Sequence, residues 1–180
     1  MKEQTIVLGG GCFWCIEGIF QEVDGVLSVK SGYSGGLIPD PSYQAVCSGT
    51  TGHAEVVQIS YDADVISLEN LLLIHMVTHN PTTLNQQGAD KGPQYRSVIF
   101  YKDEAEKNIA EKIIAEVQTA YDDKIVTTLE PTAEFYAAEE SHQNYYLKNP
   151  NAGYCQAVIE PKLAKFRKIY QQLKVNSAKF

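Results

Sequence analysis

The stretch Gly9-Gly10-Gly11-Cys12-Phe13-Trp14-Cys15-Ile16-Glu17 is the densest chemical clue in the chain. A cysteine in the first turn of a helix meets unpaired backbone N–H groups and the positive end of the macrodipole, both of which favour thiolate over thiol. Phe13 and Trp14 beside it would wall the sulfur with apolar surface, suited to a methyl or thioether rather than a charged substrate. Composition alone favours a plainer role for the two rings, anchoring the helix to the core. Cys12 and Cys15 spell C-x-x-C, which has three readings. The pair is a thioredoxin-like redox couple, or half of a zinc site completed by His75 and His79, or a single nucleophile, Cys12, with Cys15 as its neighbour. Zinc is the poorest fit, because the 60 residues separating Cys15 from His75 are far from finger spacing.

His53-Ala54-Glu55 matches the H-x-E of zinc deaminases, but the C-x-x-C that should follow it lies upstream instead. Glu55 keeps its interest. In a half-buried strand a carboxyl rises in pKa and becomes a proton donor near neutrality, whereas on an exposed strand it is only a solvated acid. There is no G-x-G-x-x-G opening a helix, no Walker motif and no G-x-S-x-G elbow, so nucleotide cofactors have no visible seat.

Apolar Thr5–Leu8 reads as a strand running into the glycines, and Phe13, Ile16, Ile19, Phe20 and Val23 recur at helical spacing up to about Gly25. Cys12 therefore sits at a strand-to-helix junction. Strands follow at about 26–33 and 54–61, separated by a long loop rich in Gly and Pro. Ser67 caps a helix to about 79, Tyr95–Tyr101 reads as a buried strand, and Asp103–Tyr121 as a surface helix with Ile109, Ile113, Ile114 and Val117 inward. Short β segments at about 127–136 and a helix after Pro161 complete the chain. This order predicts an α+β fold, a single-domain two-layer sandwich whose mixed sheet surrounds a split βαβ (ferredoxin-like) core, with an irregular C-terminal segment.

With 180 residues, 44% hydrophobic and 21% charged, the chain can bury a core without staples, which frees its four cysteines for chemistry. A net charge of −7 without a basic run argues against nucleic acid and anionic membranes as partners. The N-terminus lacks a secretory apolar region and no apolar run approaches a membrane span, so a cytoplasmic location is expected.

Five motifs together resemble the peptide methionine sulfoxide reductase A family: Gly11-Cys12-Phe13-Trp14, the Tyr43 segment, Thr51-Gly52-His53-Ala54-Glu55, Asn85-Gln86-Gln87-Gly88-Ala89-Asp90 and Gln94-Tyr95-Arg96-Ser97. They occur in the family's order between about residues 5 and 161. The resemblance implies reduction of the S epimer of methionine sulfoxide, free or in proteins, with no cofactor and with thioredoxin, or dithiothreitol in vitro, as external reductant. By position, Cys12 is similar to the family's nucleophile and Phe13 and Trp14 to the walls around the methyl group. Glu55 is similar to the acid on the departing oxygen, Tyr43 and Tyr95 to the hydroxyls that bond it, and Asp90 to a contact near the substrate backbone. The product on Cys12 would be a sulfenic acid. Gly153-Tyr154-Cys155 resembles the family's recycling segment, so the implied disulfide joins Cys12 and Cys155, carried by a C-terminal loop and helix of about 137–180 within one catalytic domain, 1–180.

Cys15 departs from members with glycine there and keeps a second resolving route open, while Asn80 replaces a common aspartate. Cys47 reads as a buried spectator, and the chain is expected to act as a monomer. Two other functions compete: a general thiol–disulfide oxidoreductase using Cys12 and Cys15, and a module that binds oxidised methionine without turnover.

Overall fold

The computed structural model describes residues 1–177; the last three positions of the expected C-terminal segment, 178–180, lie outside the described residues. In chain order the elements are β1 (Glu3–Gly9), α1 (Phe13–Phe20), β2 (Val26–Ser34), α2 (Tyr43–Cys47), β3 (Ala54–Asp62), α3 (Leu68–Thr78), β4 (Gln86–Gln87), β5 (Asp90–Lys91), β6 (Val98–Tyr101), α4 (Glu104–Gln118), β7 (Thr128–Pro131), β8 (Tyr136–Ala137), α5 (Tyr145–Lys148) and α6 (Glu160–Ser177). One sheet has the order β7-β6-β1-β3-β2-β8, and β4 pairs only with β5. All neighbours in the large sheet run antiparallel except β6 and β7, which are parallel, so the sheet is mixed. β3 is inserted between β1 and β2, the two strands that α1 joins.

Alternation along the strands sorts the sheet into two faces. Ile6, Leu8, Val57, Ile59 and Ile99 point into the large core, which Phe13, Phe20, Leu71, Met76 and Phe166 fill from the helices. Val7, Ala54, Val56, Val98 and Phe100 form a smaller cluster on the opposite face, with Phe135 packed on it. Glu55 has the parity of Val57 and Ile59, which aims it at the helix face beside the start of α1.

Two elements differ from expectation. The strand foreseen from Tyr95 begins only at Val98, because Pro93, which has no N–H to give a ladder, starts a 3-10 turn over Pro93–Tyr95. That turn swings Tyr95 out of the sheet, and Gly11 N–H is held by the Tyr95 carbonyl at 3.1 Å. The short β segments expected at about 127–136 are β7 and β8, which lie on opposite edges of the sheet. Finally, Cys155 is not in a loop. It opens a π-helical turn, Cys155–Ile159, that runs directly into α6, and it is fully buried against the core. The irregular C-terminal segment is thus confined to the stretch before that turn.

Candidate functional site

The three glycines before Cys12 are there for steric reasons. A Cβ on Gly10 would sit 2.8 Å from the His79 ring, and Gly11 has φ +89° with Gln87 packed where its side chain would be. The chain can therefore turn sharply from β1 into α1 and set Cys12 at the helix N-cap, 6% exposed. The partner these glycines admit is the protein itself, not a ligand.

Glu55 is 1% exposed on β3, and its Oε1 accepts the Phe13 N–H at 3.2 Å, directly beside the Cys12 junction. Its Oε2 is buried with no partner among the described residues. Burial pushes the carboxyl up to about 8, against the pull of the Phe13 amide, so it carries its proton at neutral pH. The foreseen half-buried acid is fully enclosed.

The helix terminus does not make Cys12 the easier thiol to ionise. Burial, its hydrogen bond with Cys15 and the nearby Glu55 charge push the Cys12 thiol up. The same hydrogen bond, helped by Lys162 and Tyr154 against burial, brings Cys15 down to about 7. The two thiols titrate as one pair, with Cys12 pushed up and Cys15 brought down. The Cys155 thiol is raised by burial and by the Cys15 charge.

Phe13 is wholly buried, whereas Trp14 is only partly so. Phe13 serves core and site at once. Its ring stacks on Tyr43 at 6.2 Å, and Trp14 stacks on the same Tyr43 at 6.4 Å. Tyr43 opens α2, behind the Ser42 cap that accepts the Ala45 N–H. The Tyr43 and Tyr95 hydroxyls lie close enough to the Cys47 thiol to pull it down against burial, and both tyrosines are raised chiefly by burial. Cys47 is therefore half-buried among site residues, not the buried spectator expected. Asp90 lies on β5, and its Oδ2 accepts the Tyr154 hydroxyl at 2.9 Å. Tyr154 Oη in turn lies 4.0 Å from Cys15 Sγ.

The segment before the π-helical turn supplies a wall that the sequence reading missed. Tyr145 stacks on Trp14 at 3.7 Å, His142 packs at 4.2 Å from Tyr43, and Tyr154 meets Trp14 edge-on. Glu139 accepts the Tyr33 hydroxyl and the Tyr43 N–H, while buried Glu17 accepts the Tyr145 N–H and the Ser31 hydroxyl. Histidine and tyrosines crowded into an otherwise polar stretch, Glu139–Tyr146, were the available signal.

His75 and His79 play no part in this site. His75 Nε2 bonds the Gly9 carbonyl and His79 spans the His75 carbonyl and Ser97. Burial holds both rings neutral. Among the described residues no cluster of three His, Cys, Asp or Glu could hold a metal, and no described helix is long and apolar enough to cross a membrane.

A buried neutral acid, a thiol pair and an aromatic cage make a site that can protonate an oxygen while a sulfur attacks its neighbour. Comparison with known proteins agrees with that chemistry. The family model described as peptide methionine sulfoxide reductase matches residues 4–174. "Peptide methionine sulfoxide reductase MsrA" of Natronomonas pharaonis is 51% identical over 175 residues, covering 96% of this chain and 98% of its own. The crystal structure of reduced Mxr1 from Saccharomyces cerevisiae superimposes with a TM-score of 0.81 at 41% identity, over 86% of this chain and 90% of that one. Mxr1 in complex with Trx2 also matches, with a TM-score of 0.58 at 29% identity over 80% and 85% of the two chains.

Proposed function

The chain belongs to the peptide methionine sulfoxide reductase family, and from that premise we propose how its own residues carry the reaction. The substrate is the S epimer of methionine sulfoxide, free or in proteins. Its methyl group lies against Phe13 and Trp14, its oxygen faces Glu55 and the Tyr43 and Tyr95 hydroxyls, and Asp90 contacts the backbone of the oxidised residue. Cys12 sulfur attacks the sulfoxide sulfur and passes its proton to the Cys15 thiolate, while Glu55 gives its proton to the sulfoxide oxygen. The adduct then collapses: the hydroxyl passes from the methionine sulfur to the Cys12 sulfur as the methionine S–O bond and the transient S–S bond both break, which leaves a sulfenic acid on Cys12 and releases reduced methionine. A second thiol displaces that oxygen as water and forms a disulfide, which thioredoxin reduces. The likeness to an Mxr1 structure containing Trx2 supports thioredoxin as partner.

The observation that carries this reading is the buried, neutral Glu55 with an unpartnered oxygen beside Cys12. A disulfide exchanger has no use for that proton. The Glu55→Gln variant tests it: sulfoxide turnover should fall roughly 10²- to 10⁴-fold with disulfide reduction unchanged. Equal activity on sulfoxide would overturn it.

Cys155 is the resolving thiol in this proposal. Cys15 offers a second route, since its ionisation is coupled to that of Cys12. The proposal extends to a single catalytic domain with a ferredoxin-like core, supported by the β6-β1-β3-β2 order. It further extends to a cytoplasmic monomer that needs no cofactor besides its reductant.

A further inference from the structure

We propose that His142 is a positioning residue that fixes where the Trp14 wall sits within its own plane, and with it the enzyme's preference for a methyl sulfoxide. The inference rests on the reductase reading of the site. Trp14 Nε1–H donates to His142 Nδ1 at 3.2 Å. An indole nitrogen can only donate, so Nδ1 must offer its lone pair and the ring proton sits on Nε2. On that side Glu139 Oε2 lies 3.7 Å away, and Glu139 is itself tied to the Tyr33 hydroxyl and the Tyr43 N–H. Burial favours this neutral form.

The histidine ring also fills space that a smaller acceptor would leave open. It stands 5.7 Å from Trp14, 5.7 Å from Phe13 and 4.2 Å from Tyr43, which places it among the three rings of the cage. Tyr145 covers Trp14 at 3.7 Å but controls only its tilt, because a stacked ring can still slide in its own plane. The indole hydrogen bond removes that slide. A wall held within a fraction of an ångström can reject one extra methylene, whereas a loose one cannot.

The segment that carries His142 is built to hold it still. Gln143 Oε1 accepts the Ser31 N–H, and its Nε2 donates to the Ser31 and Ala138 carbonyls. Glu17 holds the Tyr145 N–H from α1, and Gln21 donates to Asn144 Oδ1. The segment therefore belongs to the substrate pocket as much as to the recycling machinery.

The test compares His142→Phe, which keeps a ring but loses the acceptor, with His142→Asn, whose Oδ1 replaces Nδ1. Trp14 is the chain's one tryptophan, so intrinsic emission reports this contact directly. Peptides carrying the S epimer of methionine sulfoxide or its ethyl homologue are the substrates. In the phenylalanine variant KM for the methyl substrate should rise roughly five- to tenfold, the size of one neutral hydrogen bond, with kcat within about threefold. Its Trp14 emission should shift and its methyl-over-ethyl preference should drop. The asparagine variant should restore KM, emission and preference. Unchanged KM and emission in His142→Phe, or an asparagine variant no better than phenylalanine, would overturn the proposal. Absence of sulfoxide turnover in the unaltered protein would instead sink the reductase reading, and the emission comparison would still judge the hold on Trp14.

Discussion

The two ends of the redox cycle are stored in unlike ways. Cys12 sits where the central strand β1 meets α1, with φ −65° and ψ 128°, pinned on one side by the Gly11 to Tyr95 bond and on the other by Glu55 on Phe13. Cys155 sits in a π-helical turn behind a stretch that is held mainly by side chains reaching across to β2 and α1. A π turn is a poorer helix than its α neighbour and a usual mark of a functional segment. In the cycle we propose, the nucleophile is ready in place, whereas Cys155, fully buried, leaves its turn to act as the recycling thiol. Tyr154 precedes it and spans Asp90 and the Cys15 neighbourhood, so that departure also opens one side of the substrate cage.

The largest effect that would break this contrast is expected from Cys155→Ser. The first turnover should proceed at the normal rate, and thioredoxin-driven cycling should then stop, measured as methionine formed per enzyme in a burst experiment. Continued cycling would assign resolution to Cys15 and make the stored thiol dispensable.

A smaller effect, the pH profile of kcat/KM, sharpens the preorganised half. The productive form has a Cys15 thiolate to take the Cys12 proton and a protonated Glu55 to give one. Cys15 at about 7 sets a limb that rises with pH, and Glu55 at about 8 sets a limb that falls with pH. Cys15→Ser should erase the rising limb and Glu55→Gln the falling one. Retention of the rising limb in Cys15→Ser would remove Cys15 from the proton path.

What the sequence revealed follows the same division. β1, α1 and β3 carry strong apolar periodicity, and Cys12, Phe13, Trp14 and Glu55 lie on them at fixed phases, so their convergence was legible. Tyr95 was placed in a strand because its apolar successors outweighed Pro93, which turns the chain before the ladder begins. The helix terminus was expected to favour a Cys12 thiolate, but burial and a neighbouring sulfur push that thiol up. His142 and Tyr145 were invisible because their partners, Trp14, Glu17 and Tyr43, lie a hundred or so residues away and no local pattern encodes the pairing. Cys47 was only half hidden: Tyr43 stands one helical turn before it on α2, whereas Tyr95 reaches it from the distant turn before β6.

In the reaction we propose, Cys12 takes an oxygen from the S epimer of methionine sulfoxide with the proton of Glu55. Mass spectrometry of peptides bearing each epimer, incubated with the protein and dithiothreitol alongside Cys12→Ser, tests it most directly. Loss of one oxygen from the S epimer alone, abolished by the substitution, is the expected result. Loss from both epimers, from neither, or from the S epimer with Cys12→Ser would contradict it.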